Sequence, residues 1–252
     1  MRTIRLLVAY DGTDFGGWQR QAREGEGARS VQGCVEAALE RMHGRRVPVA
    51  GAGRTDSGVH AVGQVAAFRT DIAGIAPGRF VPALNSLLPR DVRALDARQA
   101  SDGFHPRFDA KSRAYRYRLV CGRPALPHES RYALHVRRRP SVRLLNAYCR
   151  EILGERDCSV FAAAGDVSKS RRRLVHRASF FPEGDGLVFE ICANAFLWKM
   201  ARSVAGTFLH YEERGAPPEA VRDAIASLDR ARAGPTLPAR GLFLWKVDYY
   251  RE

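Results

Sequence analysis

The stretch Gly51-Ala-Gly-Arg-Thr-Asp-Ser-Gly-Val-His60 sets three glycines around a single Arg-x-Asp pair. It lies between two β-like segments, residues 47–50 and 63–68. Glycine lets the backbone take positive φ and leaves room for another molecule to come close. Asp56 is therefore expected on a tight, exposed loop held by strands, with Arg54 two residues away. A carboxylate displayed in this way on a strongly basic chain suggests a nucleophile or base working inside an anion-binding surface. A polar hairpin loop with no chemistry accounts for the same ten residues.

The elements that must hold this loop read as a β-α-β-β-α-β series. Residues 4–10 read as a strand. Ser30 can cap a helix running to Met42, with Val31, Val35, Leu39 and Met42 on one face and Gly44 just past its end. Strands follow at 47–50 and 63–68, then a short helix near 79–88 and a strand near 92–95. The order recurs after residue 109. A strand over 114–120 precedes a helix that Ser141 can cap, with Val142, Leu145, Cys149 and Ile152 inward and Gly154 as its stop. Strands near 175–181 and 187–192 are joined by the turn Pro182-Glu-Gly-Asp-Gly186. Asn194 can cap a longer helix from 196 to about 211, Pro217 and Pro218 open another, and a final strand alternates Phe243, Trp245, Val247 and Tyr249.

Two such series predict an α+β fold of two ferredoxin-like halves, residues 1–108 and 109–252. Both first helices begin Ser-Val and end at Gly, which favours a pseudo-symmetric pair with a central cleft into which Asp56 points.

Composition narrows the partner. The 252 residues are 45% hydrophobic, enough for a sizeable core, and carry a formal net charge of +14. Such a field attracts polyanions, most often nucleic acid. Only Lys111, Lys169, Lys199 and Lys246 are lysines; a GC-rich genome explains the choice of Arg but not the excess over Asp and Glu. Residues 1–110 hold 15 Lys+Arg against 12 Asp+Glu, and residues 111–252 hold 26 against 15. The second half is thus expected to supply more of the polyanion-binding surface. The five cysteines are odd in number and form no C-x-x-C pair, which argues against a zinc site or disulfide framework and fits a reducing cytoplasm. The N-terminal residues lack the long apolar core of a signal peptide, and no apolar run approaches the ~20 residues of a membrane span.

Several segments, in order, resemble the tRNA pseudouridine synthases of the TruA type. They are Tyr10-Asp-Gly-Thr-Asp-Phe-Gly-Gly-Trp-Gln-Arg-Gln21, Ser30-Val-Gln32, Ala52-Gly-Arg-Thr-Asp-Ser-Gly-Val-His-Ala61 and Gly63-Gln-Val65. Further along come Phe104-His-Pro-Arg-Phe108, Arg113-Ala-Tyr-Arg-Tyr117, Ala193-Asn-Ala-Phe-Leu197, Met200-Ala-Arg202, Gly206 and Gly241-Leu-Phe-Leu244. The resemblance implies isomerisation of uridine to pseudouridine in the anticodon stem-loop of tRNA, at the expected positions 38 to 40, with no metal and no cofactor. It implies Asp56 as the catalytic carboxylate, acting as nucleophile or as base on the sugar once the base is flipped out. Arg202 corresponds to the arginine that pairs with that carboxylate. Arg54 corresponds to the one that helps flip the base and fills its place. Tyr115 corresponds to the tyrosine that stacks on the flipped uracil; Tyr117 points to the same side, and only the family register separates them.

Phe104, His105, Arg107 and Phe108, with Ser170, Arg171 and Arg173, are the candidate tRNA contacts. Arg137-Arg-Arg139 is equally basic but can be a solvated turn, and His60 reads as shaping the loop. Phe196, Leu197 and Met200 read as core. The family usually has Val at the position of Ala201, Asn at Ser203 and Tyr at Phe243, which touches only the packing around Arg202. A homodimer in the cytoplasm, with one tRNA spanning both subunits, follows from the resemblance alone. Two other readings stand beside it. A non-catalytic RNA-binding protein explains the charge but leaves the Asp56 loop without purpose. A metal-dependent nuclease needs several convergent carboxylates, and no second one lies near Asp56 in the sequence.

Overall fold

A computed structural model of the chain describes residues 1–20 and 29–249; Gln21, the last residue of the first matching segment, lies outside them. The architecture is α+β, with ten strands and five α-helices among the described residues. The chain packs as two compact units. One comprises residues 1–111 and the segment from Phe243 onward; the other is Ser112–Leu242.

In the first unit the order is β1 (Arg2–Tyr10), α1 (Val31–His43), β2 (Ala50–Gly51), β3 (His60–Thr70), α2 (Phe80–Leu87) and β4 (Val92–Ala100). Strand β1 lies between β3 and β4, antiparallel to both. Its apolar residues alternate, so Ile4, Leu6, Val8 and Tyr10 are all buried. Two-residue β2 pairs with β3 through Ala50 and Gly51. The last strand, β10 (Leu242–Asp248), runs parallel to β3, with Phe243 opposite His60 and Leu244 opposite Ala61.

The Ser30 hydroxyl accepts from the Gly33 amide at the start of α1, and Gly44 closes it at φ 66°. Buried Glu36 on that helix accepts from the Val49 amide at 3.1 Å and from Gln32 Nε2 at 3.2 Å, tying α1 to the chain that enters β2. Strand β4 extends five residues beyond its expected end. Leu7 faces Asp96 while Val8 faces Ala94, so Leu95 is an extra, exposed residue that breaks the period-two pattern.

The second unit holds β5 (Ser112–Cys121), β6 (Leu134–Val136), α3 (Val142–Ile152), β7 (Gly154–Asp157), β8 (Arg172–Glu183), β9 (Gly186–Ala193), α4 (Met200–Glu213) and α5 (Glu219–Ser227). Strands run in the order β6-β5-β9-β8-β7. Helix α3 is capped by Ser141, whose hydroxyl accepts from the Leu144 amide, and buries Leu145, Tyr148, Cys149 and Ile152. Tyr148 Oη donates to the Ala216 carbonyl, linking α3 to the entry of α5.

Helix α4 begins at Met200 rather than at Phe196, and Asn194 does not cap it. The Asn194 carboxamide oxygen accepts instead from the amides of Leu174 and Ala195, fixing the end of β9 to β8. The chain then crosses Lys199 at φ 61°, in the left-handed region, before turning helical. Among the described residues no helix is long and apolar enough to cross a membrane.

Near the end of α4, Glu212 is almost fully enclosed. It accepts both Nη atoms of Arg138, at 2.8 and 2.6 Å, and the Ser141 amide at 2.8 Å. Burial raises its pKa, but these donors outweigh burial and hold the carboxyl below its usual value. A depressed carboxylate stabilises the fold above its unfolded pKa and loses that contribution as pH falls through the folded one. Glu212→Gln is expected to cost about 1.5–3 kcal/mol near neutral pH. The gap to wild type, read from urea unfolding at stepped pH, is expected to shrink as pH falls below the ordinary glutamate range.

Candidate active site

The Asp56 loop is fastened from below by the segment that follows β1. Tyr10, the last residue of β1, reaches the Thr55 hydroxyl with its own at 2.8 Å, inside the protein. The Trp18 amide donates to the Thr55 carbonyl at 3.1 Å, and the Val59 amide to the Asp56 carbonyl at 3.1 Å. The Phe15 carbonyl accepts from the Gly58 amide and from the Ser57 hydroxyl. On the other flank Gln64 Nε2 donates to the Gly53 carbonyl at 2.8 Å. The peptides on both sides of Asp56 are thus held by named bonds.

Two glycines let the supporting segment come this close. A Cβ on Gly12 would stand 2.0 Å from the Val59 carbonyl oxygen. One on Gly17, at φ 109°, would stand 2.5 Å from the Thr55 oxygen. Gly12 and Gly17 of Asp11-Gly-Thr-Asp-Phe-Gly-Gly-Trp18 are therefore clearance for the loop.

His60 completes the frame. It is buried, accepts the Gly12 amide on Nδ1 at 3.0 Å and stacks on Phe243 with centroids 4.6 Å apart. The Asp11 carboxylate, 3.2 Å from the same nitrogen, also takes the Thr13 amide and hydroxyl. The histidine thus shapes the loop, as its place in the motif suggests. At the tip Thr55 is buried, Asp56 half-buried and Arg54 exposed. Among the described residues Arg54 makes no hydrogen bond or ion pair, so its guanidinium is available to a ligand.

The other two candidates lie in the second unit. Tyr115, on β5, is mostly buried and meets Phe196 edge-on with centroids 4.8 Å apart. Phe196 is half-exposed and packs on Tyr115, whereas Leu197 and Met200 are core. Tyr117 is fully enclosed; its hydroxyl donates to the Pro238 carbonyl at 2.8 Å. Burial pushes its phenol well above the ordinary range, against the pull of Arg202 and Arg240. Arg202, on the first turn of α4, donates from Nε to the Leu237 carbonyl at 2.7 Å, and its own carbonyl accepts the Leu237 amide. The chain at Leu237 therefore fixes both the backbone and one edge of the guanidinium.

The candidate RNA contacts fall in two places. In the first unit, Phe108 is 74% exposed, His105 lies against it at 4.3 Å, and the Arg107 guanidinium sits 5.7 Å from its ring. Phe104 packs instead on Tyr249, which Arg5 covers. In the second unit Arg171 donates to the Asp166 carbonyl, while Arg173 is turned toward the carbonyls of Ser170 and Arg172. The Ser170 hydroxyl accepts the Arg172 amide. Among the described residues no group of three or more His, Cys, Asp or Glu is placed to hold a metal ion.

Sequence reasoning assigns Tyr10 and Trp18 no part in the site. Their signal is their place in the first matching segment, an aromatic at each end of its glycine-rich stretch.

A family model described as tRNA pseudouridine synthase matches residues 6–109 and 148–250. The chain belongs to the tRNA pseudouridine synthase family. It is 49% identical to the tRNA pseudouridine synthase A of Treponema denticola over 249 residues, 98% of this chain and 93% of that one. It is 47% identical to the protein of the same name from Treponema pallidum, over 93% of this chain and 84% of that one. Identity to the Moorella thermoacetica tRNA pseudouridine synthase A is 39%, over 99% and 100%.

Tyr10→Phe is expected to leave the fold intact and cost about 1 kcal/mol, since it removes one buried hydroxyl partner. Gly12→Ala is expected to cost more, because the added carbon meets backbone that cannot step aside. Thermal unfolding of the two variants checks that order.

Proposed function

We propose that the chain isomerises uridine to pseudouridine in tRNA, with Asp56 as the acting carboxylate. In that reaction the N1–C1′ bond breaks, uracil turns and a C5–C1′ bond forms. The proton on C5 leaves to solvent and N1 gains one, so the atoms balance without an oxidant, reductant or cofactor.

The observation that carries this reading is the half-buried Asp56 on a loop fastened at both peptide flanks, inside a chain of this family. A carboxylate that acts on the sugar must be ionised and preset, and a fixed backbone supplies the second requirement. Arg54 serves the flipped-base step; its exposure and its lack of partners among the described residues fit a group that enters the space the base leaves. Tyr115 serves as the stacking surface, since Tyr117 is enclosed and its hydroxyl committed to Pro238. Arg202 serves as the cation that pairs with the carboxylate. The anticodon stem-loop, positions 38 to 40, is the proposed target, a homodimer the proposed working form and the cytoplasm its proposed site of action.

The test is release of tritium from a tRNA transcript labelled at uracil C5, with no added metal and with EDTA present. Wild type is expected to release it, and Asp56→Asn to lose at least roughly a thousandfold in rate while binding tRNA with unchanged salt dependence. Tight, salt-sensitive binding without release by wild type would favour a non-catalytic RNA-binding protein. Mapping the product in wild-type reactions checks the anticodon assignment.

A further inference from the structure

Helix α4 carries Arg202 on its first turn, and residues 232–238 run antiparallel along that helix. Hydrogen bonds and close approaches set the register. Tyr211 Oη donates to the Arg232 carbonyl at 2.7 Å. The Gly234 amide donates to the Thr207 hydroxyl at 3.0 Å. The Leu237 amide donates to the Arg202 carbonyl at 3.3 Å, and Arg202 Nε donates to the Leu237 carbonyl at 2.7 Å. Between these points a Cβ on Gly206 would overlap the Pro235 carbonyl oxygen, and one on Gly234 would stand 2.8 Å from the Gly206 oxygen. Glycine at both positions lets a second stretch of chain lie this close to the helix.

Thr207 is fully buried and its hydroxyl is used twice. It donates to the Ser203 carbonyl at 2.8 Å, one turn earlier, so its proton is committed and a lone pair meets the Gly234 amide. Arg230 braces the same stretch, with Nη1 on the Gly234 carbonyl and Nη2 on the Thr236 hydroxyl, both at 3.1 Å. The Pro238 carbonyl, next along, accepts the Tyr117 hydroxyl. Close packing alone needs only the clearance of the two glycines. It does not need a buried hydroxyl where valine has the same shape and no polar atom to satisfy.

The bonded stretch ends on the guanidinium of Arg202. Arginine has a long, flexible stem that samples many orientations when unrestrained. Its guanidinium is a planar fork, so holding Nε on one carbonyl sets the direction of both Nη groups. The Leu237 carbonyl is the reference point for that cation, and Thr207 holds the other end of the stretch that carries it. We infer that Thr207 is a positioning residue for the reaction: through residues 234–237 it presets the guanidinium of Arg202. The inference rests on the reading of Arg202 given above, as the cation that pairs with the acting carboxylate. Thr207 itself touches no reacting atom.

Two measurements on the full chain test it. By NMR of isotope-labelled protein, the Arg202 Nε–H is expected to exchange slowly with solvent, its resonance identified by its loss in Arg202→Lys. Thr207→Val, which keeps the shape and drops the hydroxyl, is expected to speed that exchange roughly tenfold or more. Thr207→Ser, which keeps the hydroxyl, is expected to restore it. In tritium release from tRNA, Thr207→Val is expected to lower kcat roughly ten- to a hundredfold with KM near wild type. Thr207→Ser is expected to recover most of that loss. Combined with Arg202→Lys, whose ammonium has no Nε to hold, Thr207→Val is expected to cost nothing further. An Arg202 Nε–H unmoved by Thr207→Val, a loss carried by KM alone, or the same further loss in Arg202→Lys would overturn the inference. Should wild type release no tritium, the tRNA reading fails, while faster Nε–H exchange in Thr207→Val and not in Thr207→Ser still supports the hold on Arg202.

Discussion

The proposed chemistry depends on how the two peptides flanking Asp56 are held. The Thr55 carbonyl is taken by the Trp18 amide and the Asp56 carbonyl by the Val59 amide, while the Thr55 side chain is tied to Tyr10. Each bond is modest on its own, about 1 kcal/mol net. Their value lies in direction: they converge on one dipeptide and leave the adjacent carboxylate at the half-exposed tip. Strands β1 and β3 supply the rigid floor, and glycines 12 and 17 let the chain after β1 press directly on the loop. In the proposed reaction, a carboxylate preset in this way needs little reorganisation at the sugar.

The positive charge divides into two kinds. Many arginines of the second unit are structural: Arg116 pairs with Glu190, Arg123 with Glu129 and Asp185, Arg138 with Glu212, and Arg222 with Glu151. The Arg123 pairs hold Glu129 down to about 2, through the hydrogen bond from that guanidinium. Exposed pairs of this sort add little stability each, but they fix loops against strands. The 26 basic residues of the second half therefore overstate its free binding surface, while Arg54 in the less basic first half carries an exposed guanidinium on the Asp56 loop.

Much of this was legible in the sequence. Ser30 and Gly44 mark the two ends of α1 because each has a side-chain or backbone property the helix end requires. The paired glycines around Asp56 announced a loop, and the ordered motifs announced the family. Other features were hidden for physical reasons. Asn194 looks like a helix cap, yet its carboxamide bonds to Leu174 across the sheet, and sequence spacing does not reveal a cross-strand partner. The bulge at Leu95 breaks the alternation on which strand reading relies. Tyr115 and Tyr117 share a face in any period-two reading; only the enclosure of Tyr117 and its bond to Pro238 tell them apart. The support given by Tyr10, through its hydroxyl, and by Trp18, through its backbone amide, arises from contacts across some forty residues, which local propensity does not encode.

Native-state hydrogen exchange of the Gly12, Trp18, Gly58 and Val59 amides measures that support most directly. All four donate inside the frame, to His60 Nδ1 and to the carbonyls of Thr55, Phe15 and Asp56. If the loop is held as described, they exchange only through openings comparable to those of β1 and β3, and Tyr10→Phe speeds Trp18 and Val59 together. Exchange of these amides at the rate of a free, solvated loop, with the flanking strands still protected, would contradict a preset Asp56.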